Sequence, residues 1–232
     1  MGGKALLVMA KRPTPMYTKR RLSIVLGPVE AANLYACFLA DVIALARSVP
    51  DVTPMIAYAP PDEDCEAYFR RLAPDFGLVP QVGDTLGQRL DRVMGVCFSA
   101  GYEQVAAMNS DSPTLPVDYL VQAFVQLDDP TTDVVLGPCN DGGYYLIGWK
   151  RPHPSLVLKV TMSTKRVLTD TLAIAEEEKL QVSLLPGWYD VDEGDDLRRV
   201  QADLSAEPDI ARHTRAFLNQ RQWPIPQFKG TL

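Results

Sequence analysis

Apolar residues fall into two rhythms along this chain, short unbroken blocks and longer stretches spaced by three and four, and the two alternate from end to end. The blocks read as buried strands and the spaced stretches as amphipathic helices. Lys4–Ala10 is the first block. The segment from Lys11 to Leu22 cannot be regular, because Pro13 and Pro15 stand at alternate positions. Gly27-Pro28 then opens a helix to about Arg47, with Val29, Ala32, Ala36, Leu39, Val42, Ile43 and Ala46 near helical spacing. Strand Thr53–Ala59 follows, then a Pro60-Pro61-Asp62 turn and a helix through Arg71. Gly77–Val82 predicts a short strand, and a glycine-bounded loop leads into a helix to about Ala100. The next elements are strand Gln104–Met108, helix Pro116–Leu127, strand Asp133–Leu136 and strand Tyr144–Trp149. Ser163 is expected to cap a helix through Glu178. After strand Gln181–Leu185, two amphipathic helices, the first starting near Asp195, close the chain.

Strands alternating with helices predict a mostly parallel sheet covered on both faces. In such sheets ligands bind at the carboxyl edge of the strands, so the loops after the first, fourth, fifth and seventh strands gather there. Asp111 lies on one of them, directly after the apolar run Val105-Ala106-Ala107-Met108 and on a turn stiffened by Pro113 and Pro116. A carboxylate fixed at that edge commonly holds a divalent cation against a phosphate-bearing ligand. It can equally cap the turn or the following helix, and the residues alone leave both readings open.

The 232 residues fit one large domain, taken as 1–222, with a proline-rich tail or arm over 223–232. With 47% hydrophobic and 22% charged residues the composition is that of an ordinary globular protein. No run of eighteen apolar residues is present, which argues against a membrane span, and Lys11-Arg12-Pro13 ends the first apolar block too soon for a signal peptide. Cys37, Cys65, Cys97 and Cys139 show no CxxC pair, so reduced thiols in a cytoplasmic protein are expected. The net charge of −6 argues against wholesale binding of nucleic acid. Oligomeric state is left open, a homo-oligomer included. Against that acidic background Lys11, Arg12, Lys19, Arg20 and Arg21 form a basic loop right after the first strand.

Four further features bear on chemistry. Lys11, Lys19 and Arg21 could neutralise a diphosphate or triphosphate, although a basic loop is more often solvated surface. Asp84, Gly87 and Arg89 could contact a base or sugar, or simply start a helix. Asp141-Gly142-Gly143 would let backbone approach a substrate, or is a tight turn. Asp190-Val191-Asp192 places one carboxylate inward and one outward; either could cap the following helix, or Asp192 could meet Asp111 over a metal.

Together these segments resemble a known family. They are Lys11-x-Pro13-x-Pro15 with Lys19-x-Arg21-Leu22, Gly83-Asp84-x-x-Gly87-x-Arg89, Ser110-Asp111-Ser112-Pro113-Thr114-Leu115-Pro116, Gly137-Pro138-x-x-Asp141-Gly142-Gly143-Tyr144-Tyr145, and Asp190-Val191-Asp192-x-x-Asp195-Asp196-Leu197. In that order they are similar to bacterial GT-A-like proteins of the nucleotide-diphospho-sugar transferase superfamily, relatives of the 2-phospho-lactate and molybdenum-cofactor guanylyltransferases. The resemblance spans roughly residues 4 to 200. It implies a three-layer α/β/α Rossmann-like fold with a nucleotide at its carboxyl edge. It further implies Mg²⁺ or Mn²⁺ on Asp111 and Asp192, and Lys19 and Arg21 on phosphates. Met16 stands where the family's basic loop usually has glycine, and Arg20 where it usually has threonine. A bulky Met16 would restrict how closely that backbone wraps phosphates.

The expected function is therefore metal-dependent transfer of a nucleotidyl group from an NTP to a phosphorylated small-molecule acceptor, with Lys19, Arg21 and Asp111 in the catalytic set. The alternatives are a glycosyltransferase using an NDP-sugar donor and a non-catalytic nucleotide-binding protein.

Overall fold

A computed structural model describes residues 3–220. The tail expected over 223–232 lies outside the described residues. Among them the order is β1 (Gly3–Lys11), α1 (Ser23–Leu26), α2 (Pro28–Arg47), β2 (Thr53–Ala59), α3 (Glu63–Leu72), β3 (Gly77–Pro80), α4 (Leu86–Ser99), β4 (Tyr102–Met108) and α5 (Val117–Asp128). Then come β5 (Val134–Pro138), β6 (Tyr144–Trp149), α6 (Ser155–Leu158), α7 (Val167–Glu177), β7 (Val182–Leu184), α8 (Asp196–Ala206) and α9 (Arg212–Asn219).

The seven strands form one sheet in the order β3-β2-β1-β4-β6-β5-β7. All pairings are parallel except those of β6, which runs antiparallel to both β4 and β5. The carboxyl ends of β1, β4, β5 and β7 consequently share one edge with the start of β6. Strand β1 explains why its sequence lacks alternation. Leu6, Val8 and Ala10 face a core shared with α2, α3, α5 and α8, whereas Ala5 and Leu7 face a second core shared with α4 and α6. A strand buried on both faces reads as a continuous apolar run. The fold is the expected three-layer α/β/α arrangement.

Helix α2, at 20 residues and mean hydropathy 1.6, is long and apolar enough to cross a membrane by length and composition. The run carries Glu30 and Asp41, and Leu34, Phe38, Leu39 and Val42 are fully buried against the sheet. Asp41 on this helix also secures the end of the chain. Its carboxylate accepts from His213 N at 2.9 Å, Thr214 N at 2.8 Å and Thr214 Oγ1 at 2.6 Å. The residue before α9, Ala211, has a left-handed backbone and no capping side chain, so Asp41 supplies that cap from 170 residues away in sequence terms, across the α2–α9 contact.

Two expectations are corrected. Ser163 does not cap α7: it has φ +63°, and the helix starts four residues later behind Arg166. Neither Asp190 nor Asp192 caps α8. Asp196 in the first turn of that helix reaches back instead, its Oδ2 accepting from Asp192 N at 2.9 Å and Glu193 N at 2.8 Å. The side chain of Asp192 is left free to face elsewhere.

Candidate active site

The basic loop after β1 is a knot of its own hydrogen bonds. Thr14 O accepts from Tyr17 N at 3.1 Å and Thr18 N at 3.0 Å, and Thr18 Oγ1 accepts from Thr14 N at 2.9 Å. The tight path needs two left-handed residues, Met16 at φ +71° and Lys19 at φ +48°. Met16 thus adopts the backbone that a glycine would take without strain, and its side chain is 67% exposed. The substitution therefore bears on backbone strain at this turn.

Tyr35 of α2 pins the neighbouring strand ends. Its hydroxyl accepts from Lys11 N at 3.1 Å and shares a hydrogen bond of 2.8 Å with Ser110 Oγ, and Ser110 Oγ donates to Met9 O at 2.9 Å. Asp111 follows Ser110 on this fixed base. Asp192 arrives on the loop after β7, which is tied to the same turn where Val191 N donates to Asp111 O at 2.9 Å.

Between the two carboxylates lies Lys19. Its Nζ is 2.6 Å from Asp111 Oδ1 and 2.8 Å from Asp192 Oδ1. The lysine side chain is 5% exposed, against 33% for Asp111 and 45% for Asp192, and its ammonium also lies 5.9 Å and 5.8 Å from the ring centres of Tyr35 and Phe38. Burial works against the positive charge, but the paired carboxylates outweigh it and hold the ammonium above the ordinary lysine range.

Asp190 turns inward, as the alternation across Val191 allows. Its Oδ1 accepts from Asn109 Nδ2 at 2.6 Å, Ser112 Oγ at 2.9 Å and Cys139 Sγ at 3.3 Å. Burial, reinforced by the charge of Asp111, pushes its carboxyl up to about 6. Burial and the same Asp190 push the Cys139 thiol far up, which keeps it protonated and unsuited to nucleophilic work. Asp190 is the member of this cluster that residue spacing did not single out, since periodicity shows that one acid faces in but not which.

Two cavities meet at the Asp111–Asp192 pair. A basic one of ≈ 290 Å³ is lined by Lys11, Lys19, Arg20, Arg21 and both aspartates. It adjoins a further hollow of ≈ 440 Å³ bounded by Lys11, Arg12, Pro60, Pro61 and Arg89. The other, of ≈ 420 Å³, has Asp141, Gly143, Tyr144, Lys165 and Asp190 among its walls, and again Arg21, Asp111 and Asp192. Lys11, Lys19, Arg21, Asp111, Asp141, Gly143 and Asp192 are thereby brought to one cleft. Arg21 also meets Glu193 at 3.2 Å on the exposed rim.

The remaining candidates lie differently. Arg89 reaches the adjoining hollow, held by its Nε donating to Gly83 O at 2.8 Å. Asp84 is exposed and lines neither cavity. Gly87 is buried against α6, where an added Cβ would sit 2.1 Å from Val157 O, so its close approach is to the protein's own backbone. Gly142 is similar, with φ +91° and Lys165 O 2.0 Å from where a Cβ would be. Asp141 closes this turn by accepting from Gly143 N at 2.9 Å.

The fold is shared with a crystal structure of a candidate nucleotide-diphospho-sugar transferase from Desulfovibrio desulfuricans G20, at 31% identity over 95% of each chain and a TM-score of 0.87. The profile of a family described as an uncharacterized protein conserved in bacteria (DUF2064) matches residues 42–164. The chain belongs to this family. More distant solved structures share the DUF2064 fold. CMP:2-keto-3-deoxy-manno-octonic acid synthetase complexed with CTP is 13% identical over 88% of this chain and 99% of that one, with a TM-score of 0.55. Glucosyl-3-phosphoglycerate synthase from Mycobacterium tuberculosis, in complex with Mn²⁺, UDP and glucosyl-3-phosphoglycerate, is 12% identical over 98% and 82%, with a TM-score of 0.53. At such identities the likeness of these two shows the fold alone. The search of curated proteins gave no match.

Proposed function

We propose that this protein is a transferase whose Asp111 and Asp192 hold a divalent cation, Mg²⁺ or Mn²⁺, against the phosphates of a nucleotide. The observation that carries this reading is the convergence of both carboxylates on one point, the Lys19 ammonium at 2.6 and 2.8 Å, where the basic and acidic cavities meet. The donor set suits such an ion. It offers two hard oxygens on partly solvated side chains, and Mg²⁺ needs only one or two carboxylates once water and substrate phosphates complete its shell. Related folds that hold CTP, or Mn²⁺ with UDP, support the assignment. The bound cation would supply charge neutralisation and polarisation of the phosphate oxygens.

The chain's own residues do the remaining work. Lys19 leaves the aspartates and moves onto the phosphates, joined by Lys11 and Arg21, so that charge building on the leaving group meets preplaced cations. Lys11, Arg12, Arg89 and the Pro60-Pro61 turn bound the adjoining hollow, which is proposed to take the ribose and base. The acceptor enters from the side of Asp141, Gly143 and Tyr144.

Nucleotidyl transfer is the reaction favoured by four cations around a cavity of ≈ 290 Å³, because a pyrophosphate leaving group carries the most charge to balance. The acceptor oxygen bonds to the α-phosphorus as the bond from that phosphorus to pyrophosphate breaks. Glycosyl transfer from an NDP-sugar is a second reading, favoured by the carboxylates on the acceptor side. A thermal-shift screen of nucleoside triphosphates and sugar nucleotides, with and without Mg²⁺, tests the proposal. A ligand at one hundred times its dissociation constant stabilises by about 2.7 kcal/mol. Shifts with triphosphates that need the cation support nucleotidyl transfer, shifts confined to sugar nucleotides move the case to the second reading, and no cation-dependent shift refutes both.

A further inference from the structure

The charges of the cleft are sorted by side. Lys11, Arg12, Lys19, Arg20 and Arg89 all stand on the basic side, together with Arg21. The opposite cavity adds Asp141 and Asp190 to the shared aspartate pair, and among the described residues Lys165 is the one cation it does not share with the basic side. A phosphorylated acceptor would bring its charge against these carboxylates, whereas the sequence led us to expect just such an acceptor.

The polar atoms offered there match hydroxyl groups instead. All three hydrogen bonds to Asp190 end on Oδ1, and Oδ2 receives none from the described residues. Asp141 likewise spends Oδ1 on Gly143 N. Each carboxylate therefore keeps one oxygen to accept from a ligand O–H. A donor is also held in reserve: the Tyr144 hydroxyl, lifted by burial above the ordinary tyrosine range and so kept protonated, has among the described residues only the Met162 sulfur at 4.0 Å as partner. The Tyr144 ring, Leu86, Leu90 and Met162 supply apolar wall against which C–H groups can pack. Acceptors and a donor set around an apolar wall, in ≈ 420 Å³, suit a compound bearing several hydroxyls on a carbon frame.

We infer that this cavity binds an uncharged polyhydroxylated acceptor, a sugar or polyol without phosphate, through Asp141, Asp190 and Tyr144. The inference rests on the proposed function, since it takes the cavity beside the aspartate pair as the acceptor side.

Saturation-transfer NMR tests it with the full chain and no nucleotide. The probes are myo-inositol, methyl glucoside and glycerol, the monophosphate of each, and glucosamine as a cationic member. The expected result is transfer to at least one neutral probe, at least ten-fold weaker binding of its monophosphate, and loss of transfer in Tyr144→Phe and in Asp141→Ala. Preferential binding of a monophosphate or of glucosamine overturns the inference, as does no binding of any neutral probe. Transfer unchanged in both variants overturns it too. A circular-dichroism melt of each variant separates lost binding from lost fold. Cation-dependent nucleotide binding, titrated separately on the wild-type protein, reports on the proposed function, so either can fail without the other.

Discussion

Lys19→Met isolates what the ammonium does at the aspartate pair. Methionine keeps an apolar stem beside Tyr35 and Phe38 while removing the charge 2.6 Å from Asp111 and 2.8 Å from Asp192. In the wild-type protein an incoming cation must first displace that ammonium from both carboxylates. In the variant the two oxygens are no farther apart than the sum of those two distances, and like charges about 5 Å apart repel by about 3 kcal/mol at an effective dielectric constant of 20. Both aspartates are a third or more exposed, so solvent screening reduces this to about 1–2 kcal/mol. Relief of that repulsion should favour a bare divalent cation by roughly ten-fold. The assay is Mn²⁺ titration followed by electron paramagnetic resonance without nucleotide, run beside triphosphate and monophosphate titrations by calorimetry. Lys19→Met should bind Mn²⁺ about ten-fold more tightly than wild type, yet lose more affinity for triphosphate than for the matching monophosphate. Equal or weaker Mn²⁺ binding in the variant would refute the idea that the lysine stands where the cation goes.

Other consequences concern the frame that carries the site. Asp41→Ala removes three hydrogen bonds at the start of α9, and a loss of about 2–4 kcal/mol in urea denaturation is expected, given what charged and capping hydrogen bonds contribute; a loss below about 1 kcal/mol would mean that α9 is held otherwise. Gly142→Ala places a methyl group 2.0 Å from Lys165 O in a backbone of φ +91°, so the variant should melt lower and bind acceptor probes less well, whereas Gly95→Ala, with open space around it, should do neither. His153 packs on Trp149, its Nε2 is buried without a partner, and burial followed by the charge of Arg151 lowers its pKa. A base whose folded pKa lies below its unfolded value lends stability above that unfolded value, about 6.5, and loses it as pH falls. His153→Leu should therefore flatten the decline of stability between about pH 6.5 and 5, and an unchanged slope would contradict this.

Much of this was legible in the chain because the physics is local. The blocks at Thr53–Ala59 and Tyr144–Trp149 were bounded to the residue, since each is mostly apolar, the first stopped by Pro60-Pro61 and the second opened after Gly142-Gly143. The reversed direction of β6 was not legible: an apolar run buried on both faces carries no sign of the way it points. The short helices at Ser23–Leu26 and Ser155–Leu158 span about one turn, too little for a periodic signal. At the site, the residue types and their places after strands pointed to Asp111 and Asp192, which the fold brings to one lysine. That Lys19 would lie between them was invisible, because the contact joins residues 92 and 173 positions apart, as numbered in the chain. At Gly87 and Gly142 the glycine signals that something comes close, and in both cases the protein's own carbonyl does so.

The most direct test of the account is a nucleoside triphosphate titration, with and without Mg²⁺, on Asp111→Asn and Asp192→Asn. Both side chains are partly exposed, so the folded state should survive each change, as a parallel urea melt checks. The account predicts that each variant loses the Mg²⁺-dependent part of nucleotide affinity while keeping a cation-independent remainder from Lys11, Arg20 and Arg21. Full Mg²⁺-dependent affinity in either folded variant would contradict it.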